Sequence, residues 1–273
     1  MSANRLGWHH LCVEIPDEWE VIEYGTRQKD GSLRLSDPEG ETLQVHWSTL
    51  KRAPNMRNRL QTWLAKYSPG EDARFREVEA WSLCAVKGGP LVAVRHDAEV
   101  RVLLTLVFSA HARENVGDAA IAAILNSYSQ NRGERRVWAA FGIDVMLPGA
   151  WELDSVEALP AAQRMHFCRR DGERVSVHRY GMLPMVLAGD TDETFFARLK
   201  GRRSLVRVEG PWRSGLAFSY RRTQNRLMDV FRRTAIGLAW LWREPALGRL
   251  YVFDQNIRGQ HEGAEPVGEV CCR

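Results

Sequence analysis

Val13-Glu14-Ile15-Pro16-Asp17-Glu18-Trp19-Glu20 returns 132 residues later as Val145-Met146-Leu147-Pro148-Gly149-Ala150-Trp151-Glu152, with Val, Pro, Trp and Glu in place. The same ungapped offset pairs Gly40, Glu41, Val45 and His46 with Gly172, Glu173, Val177 and His178, so the 37 residues from Cys12 to Ser48 carry eight identities. Further on, Thr62-Trp63-Leu64-Ala65-Lys66 matches Thr194-Phe195-Phe196-Ala197-Arg198 in character. One shift without gaps over such a stretch marks a duplication. It predicts two tandem units, residues 1–130 and 131–273, joined by the polar run Ser129-Gln130-Asn131-Arg132-Gly133-Glu134-Arg135-Arg136.

Each unit reads in the same order. A strand (Trp8 to Ile15; Val137 to Leu147) stops at a Pro, which lacks a ladder donor. A hairpin follows, Ser32 to Ser36 with Thr42 to Trp47, and Arg164 to Cys168 with Arg174 to Tyr180, turning at Gly40 and Gly172. Leu60, Trp63, Leu64 and Tyr67 have the spacing of a helix stripe, as do Phe195, Phe196 and Leu199, the latter behind an Asp190/Glu193 capping box. Strands are expected near 75–80, 91–95 and 100–109, then near 205–209, 216–222 and 227–234. A helix carrying Ile121, Ile124, Leu125 and Tyr128 closes the first unit. The second continues instead through Ile236 to Trp242 and Arg249 to Asp254, and residues 261–273 read as a flexible tail or a docking segment. The fold class expected is α+β, each unit an antiparallel sheet with one or two packing helices.

This order, with Ile15-Pro16-Asp17-Glu18-Trp19, Leu147-Pro148-Gly149-Ala150-Trp151 and the run Val102 to Phe108 before Ala119 to Tyr128, resembles the PsbP family. That fold is shared by the Ran-binding Mog proteins and by chaperones of type VI secretion effectors. The resemblance implies a binding protein without a common catalytic site, so it assigns no functional residue.

Composition sets bounds on the rest. The 273 residues are 44% hydrophobic and 26% charged, as in ordinary folded domains, and no run approaches the apolar length of a membrane span. The opening residues lack a secretory h-region, and five cysteines without CxxC spacing fit reduced thiols, so a cytoplasmic protein is expected. Net charge is only +4, yet the first 130 residues carry −2 and the remainder +6. Between 198 and 233, eleven basic residues meet only Glu209 and Asp229. Arginine forms bidentate pairs with carboxylates and is weakly hydrated. Arg202, Arg203, Arg207, Arg221, Arg222, Arg232 and Arg233, aided by Trp240 and Trp242, are therefore the expected contact surface for an acidic protein partner.

The function read from this is a non-catalytic adaptor or chaperone-like role without a cofactor. A nucleic-acid-binding module is the alternative, although no reader motif accompanies the basic stretch. A metal-dependent enzyme is a further alternative. Trp8-His9-His10-Leu11 with Ser36-Asp37-Pro38-Glu39-Gly40-Glu41 has the look of glyoxalase-type fragments, but only 26 residues separate His10 from Asp37 and the second unit has Trp138-Ala139-Ala140-Phe141 instead. His46 and His178, the repeat-related histidines, are candidates for a metal or a pH response. The vicinal Cys271-Cys272 could bind a soft metal, but a frayed end without a role is the plainer reading. Phosphate loops, GxSxG elbows and HExxH motifs do not occur.

Overall fold

The computed structural model describes residues 3–67, 73–201, 205–208, 215–221, 236–257 and 265–272. The chain divides into two compact units, Met1–Arg132 and Gly133–Arg273. The first contains β1 (Ala3–Trp8), β2 (Leu11–Pro16), β3 (Glu20–Tyr24), β4 (Asp30–Ser36), β5 (Glu41–Thr49), α1 (Met56–Tyr67), β6 (Ala73–Val78), β7 (Trp81–Val86), β8 (Leu91–Asp97), β9 (Val102–Phe108), α2 (Ala110–Asn126) and β10 (Ser129–Gln130). The second contains β11 (Arg135–Ala140), β12 (Ile143–Pro148), β13 (Glu152–Leu159), β14 (Ala162–Cys168), β15 (Arg174–Tyr180), α3 (Leu183–Leu187), α4 (Asp192–Lys200), β16 (Leu205–Val208), β17 (Leu216–Arg221), β18 (Ile236–Glu244), β19 (Arg249–Asn256) and β20 (Glu269–Cys272).

The α+β expectation is corrected. Of the described residues 53% are strand and 19% helix, so each unit is mainly antiparallel sheet rather than a sheet balanced by helices. Three features hid strands from a sequence reading. The opening segment of each unit is a hairpin, because a two-residue turn interrupts one continuous apolar run: Trp8 pairs with Leu11 and Ala140 with Ile143. His9 and Phe141 take left-handed φ in those turns, and only the second has a glycine, Gly142, beside it to signal the reversal. Next, β3 and β13 follow the Pro-x-x-Trp signal and form outer strands with mostly exposed side chains, so their apolar alternation is faint. Finally, β7 begins after a tight turn at Glu79, again left-handed and without glycine.

In the first unit the main sheet runs β3-β4-β5-β9-β8-β7-β6; in the second it runs β13-β14-β15-β19-β18-β17-β16, the same order element for element. One face of the first sheet packs Cys84, Val86, Val92, Val94, Leu103 and Val107 against Leu60 and Leu64 of α1. Its other face carries Trp47, which packs against His9 with ring centroids 5.1 Å apart. In the second unit α4 covers the sheet with Phe195 and Phe196, and Phe196 stacks on Phe218 at 5.0 Å. The cap of α4 is Thr191, whose hydroxyl accepts from the Thr194 amide, rather than Asp190, which pairs with Arg198.

The end of the chain also departs from expectation. The segment 227–234 and residues 258–264 lie outside the described residues, but Glu269–Cys272 is β20, paired antiparallel to β12 rather than frayed. It aligns Cys271 with Asp144 and Cys272 with Ile143, as β10 aligns Ser129 with Cys12 and Gln130 with Leu11. Among the described residues no helix is long and apolar enough to cross a membrane.

Candidate functional site

Of the expected contact residues, Arg202, Arg203, Arg222, Arg232 and Arg233 lie outside the described residues, and Arg221 is described only as part of β17. Arg207 is exposed on β16, the outer strand of its sheet. Trp240 and Trp242 are corrected: each is 5% exposed, one against Phe253 at 5.9 Å and the other stacked on Tyr251 at 5.5 Å. They alternate with Ala239 and Leu241 along β18, so the tryptophans fill the sheet face opposite α4 and cannot line a contact surface.

Of the two repeat-related histidines, His178 is buried and His46 is half-buried. His46 lies 4.6 Å from the Trp63 ring and near the Gln44 side chain, and burial with the Lys66 charge lowers its pKa. His178 is buried and shares a hydrogen bond of 3.0 Å between Nδ1 and the Tyr180 hydroxyl. Its Nε2 is buried with no hydrogen-bond partner among the described residues. Burial, then the Lys200, His166 and Arg164 charges, hold its pKa well below 6.5. Cys271 is exposed. Among the described residues no three His, Cys, Asp or Glu side chains are grouped to hold a metal ion. His10 bonds the Gln28 carbonyl at 2.8 Å, while Asp37 is held by His111 of α2, so these two do not form a common site.

What the sheet assembles around His178 is a polar cluster at the edge of the α4 core. Register places Arg164 opposite His178, and His166 opposite Ser176, which in turn lies opposite Asp254. His166 Nδ1 meets Ser176 Oγ at 2.8 Å, and Arg164 donates to Glu157 at 2.7 Å. Lys200, from the last turn of α4, pairs with Asp254, and the Tyr220 hydroxyl donates to the same carboxylate. Lys200 also lies over the Tyr220 ring at 4.5 Å. Alternation makes Ser176, His178 and Tyr180 legible as one face of one strand. Lys200, Tyr220 and Asp254 join it only through long-range pairing, which no local pattern announces.

Gly237 is required beneath this cluster. It lies across the ladder from Tyr220, and a Cβ there would come within 2.2 Å of the Tyr220 ring. Gly237→Ala is therefore expected to displace the phenol from Asp254 and to cost about 1–3 kcal/mol in denaturant unfolding. In a Tyr220→Ala background the further cost of Gly237→Ala should be smaller, and an equal cost in both backgrounds would show that the strain lies elsewhere.

No protein-family model matches the chain, and no curated protein matches it in sequence.

Proposed function

We propose that the chain is a binding protein whose second unit holds an acidic protein surface through the arginines between residues 198 and 233. The observation that carries this reading is how the nearby acids are already used. Asp190 pairs with Arg198 at 3.1 Å, Asp192 with Arg243 at 2.6 Å, and Asp254 with Lys200. Arg198 and Lys200 are thereby neutralised, whereas Arg202, Arg203, Arg207, Arg213, Arg221, Arg222, Arg226, Arg232 and Arg233 have only Glu209 and Asp229 among them in sequence. A concentration of guanidinium groups in excess of local carboxylates attracts an anionic surface. The buried Trp240 and Trp242 take no part. Cys84, Cys168 and Cys271 form no disulfide among the described residues, which accords with a reducing compartment such as the cytoplasm.

Poly-glutamate, single-stranded DNA and duplex DNA, each labelled for polarisation, separate the readings. The expected result is preferential binding of poly-glutamate, weakened at least about tenfold between low and roughly 0.5 M salt. Affinity unchanged by salt, or a preference for either nucleic acid, overturns the proposal.

A further inference from the structure

The two seven-stranded sheets end on four outer strands, β3, β6, β13 and β16. Each bears an exposed large apolar side chain: Ile22, Phe75, Leu159 and Val206. An outer strand offers unpaired main-chain groups to any extended segment, and folded proteins ordinarily blunt it. Two of the four are blunted. β3 is bulged between Val21 and Glu23, and β13 between Leu153 and Ser155, the same place one repeat later. β16 is described over Leu205–Val208 and carries one arginine there, Arg207, so it offers no pair of guanidinium groups two positions apart among its described residues. β6 has six residues, Ala73-Arg74-Phe75-Arg76-Glu77-Val78, in unbroken register with β7 and with neither bulge nor proline.

We infer that β6 is a docking edge for an extended peptide in which acidic and apolar residues alternate. Arg74 and Arg76 are exposed and have no ion pair among the described residues. Two positions apart, they point to one face of the strand. An added strand has the same spacing, so its alternate carboxylates would meet both guanidinium groups while its main chain extends the ladder. Phe75 points to the other face, 40% exposed, with the Arg57 guanidinium 5.4 Å from its ring centre. It offers apolar contact for the intervening side chains. Glu77 is occupied by the Ser82 hydroxyl at 3.0 Å. Glu71 and Asp72 precede the strand in sequence, so the charge match is asked of its centre.

A second copy of the chain fits poorly. Antiparallel pairing of β6 with itself sets arginines against arginines, and like charges directly opposed are destabilising. β3 and β13 are bulged, and β16 presents Arg207. The occupant is thus an acidic segment of another protein, and the surface differs from the arginine-rich stretch of the second unit.

The test uses the full chain with a labelled peptide of about eight residues alternating Glu and Val, and a Lys-Val counterpart. The Glu-Val peptide should bind and slow amide exchange at residues 73–78, while the Lys-Val peptide should not bind. Arg74→Glu with Arg76→Glu should weaken binding at least about tenfold, and Arg74→Gln with Arg76→Gln by less. Because both side chains are exposed and have no ion pair among the described residues, these variants should melt as the parent does. Several results overturn the inference: no binding, no protection of β6, or binding lost on charge reversal of Arg232 and Arg233 but kept in the β6 variants. Self-association in sedimentation that disappears in the β6 variants also overturns it, by making the occupant a second copy.

Discussion

Lys200→Met should destabilise the protein by about 3–5 kcal/mol, the usual consequence of stranding one member of a buried ion pair. The side chains of Lys200 and Asp254 are only 7% and 15% exposed. With the ammonium gone, the Asp254 carboxylate keeps the Tyr220 hydroxyl as its hydrogen-bond donor in a site bordered by Phe196 and Phe218. The methionine retains the apolar stem that covers Phe196, so the loss reports the charge rather than the packing. Adding Asp254→Asn should return much of the stability, because a neutral pair no longer carries the desolvation cost of a lone carboxylate. Urea unfolding of the two single variants and the double variant provides the cycle. A Lys200→Met cost below about 1 kcal/mol would mean that water reaches the pair as freely as it reaches a surface ion pair.

Acidification should weaken the fold in a range where carboxylates are still ionised. His178 is surrounded by His166 and Arg164 from β14, Tyr180 on its own strand, Lys200 from α4 and Asp254 from β19. Its folded-state pKa is depressed well below 6.5, and those of His166 and His46 are lowered as well, in each case mainly by burial. The unfolded chain then binds more protons than the folded one as pH falls through 6.5. Stability is therefore fully present above that value and declines toward the depressed folded-state pKa, below which this contribution levels off. Asp37 and Glu41 act lower. Burial alone would raise their pKa values, but hydrogen bonds outweigh it: His111 and the Glu39 and Gly40 amides for Asp37, Gln44 and Arg34 for Glu41. Their contribution is lost only below about their ordinary values of 3.8 and 4.5. Unfolding free energies at about pH 7.5 and about pH 5.5 should differ in the parent and differ less in His178→Leu. An unchanged difference in that variant would place the response on other groups.

The repeat, the helix stripes and the inner strands were legible because each leaves a local period or a fixed offset. Leu60 and Leu64 are buried as their spacing predicts, and Val45, Val175 and Val177 lie inside as strand alternation predicts. The outer strands were not legible. β3 and β13 bury little, and a strand held mainly by main-chain bonds leaves no apolar pattern. The turns at His9 and Glu79 adopt left-handed backbone without glycine, so nothing in composition signals them. The site was half visible. Charge showed where cations are concentrated, but the pairing of Asp190, Asp192 and Asp254, which decides how many remain unneutralised, depends on contacts across the fold. Trp240 and Trp242 were misplaced for a related reason. Alternation puts them on a common face, but only the register of β18 with β19 shows that this face is packed against Phe253 and Tyr251.

Each unit also begins and ends on the same strand. β2 is bonded on one side to β1 and on the other to β10; β12 is bonded in the same way to β11 and β20. The polypeptide therefore leaves a unit beside the place where it entered, and its path is nearly a closed circuit. A gene segment coding for such a circuit can be copied end to end without rethreading either copy, since entry and exit are already neighbours. The closing strand survives in both copies even though α2 has no counterpart among the described residues of the second. What the architecture preserves is the closure of the circuit, and the stretch of chain leading up to it is free to change.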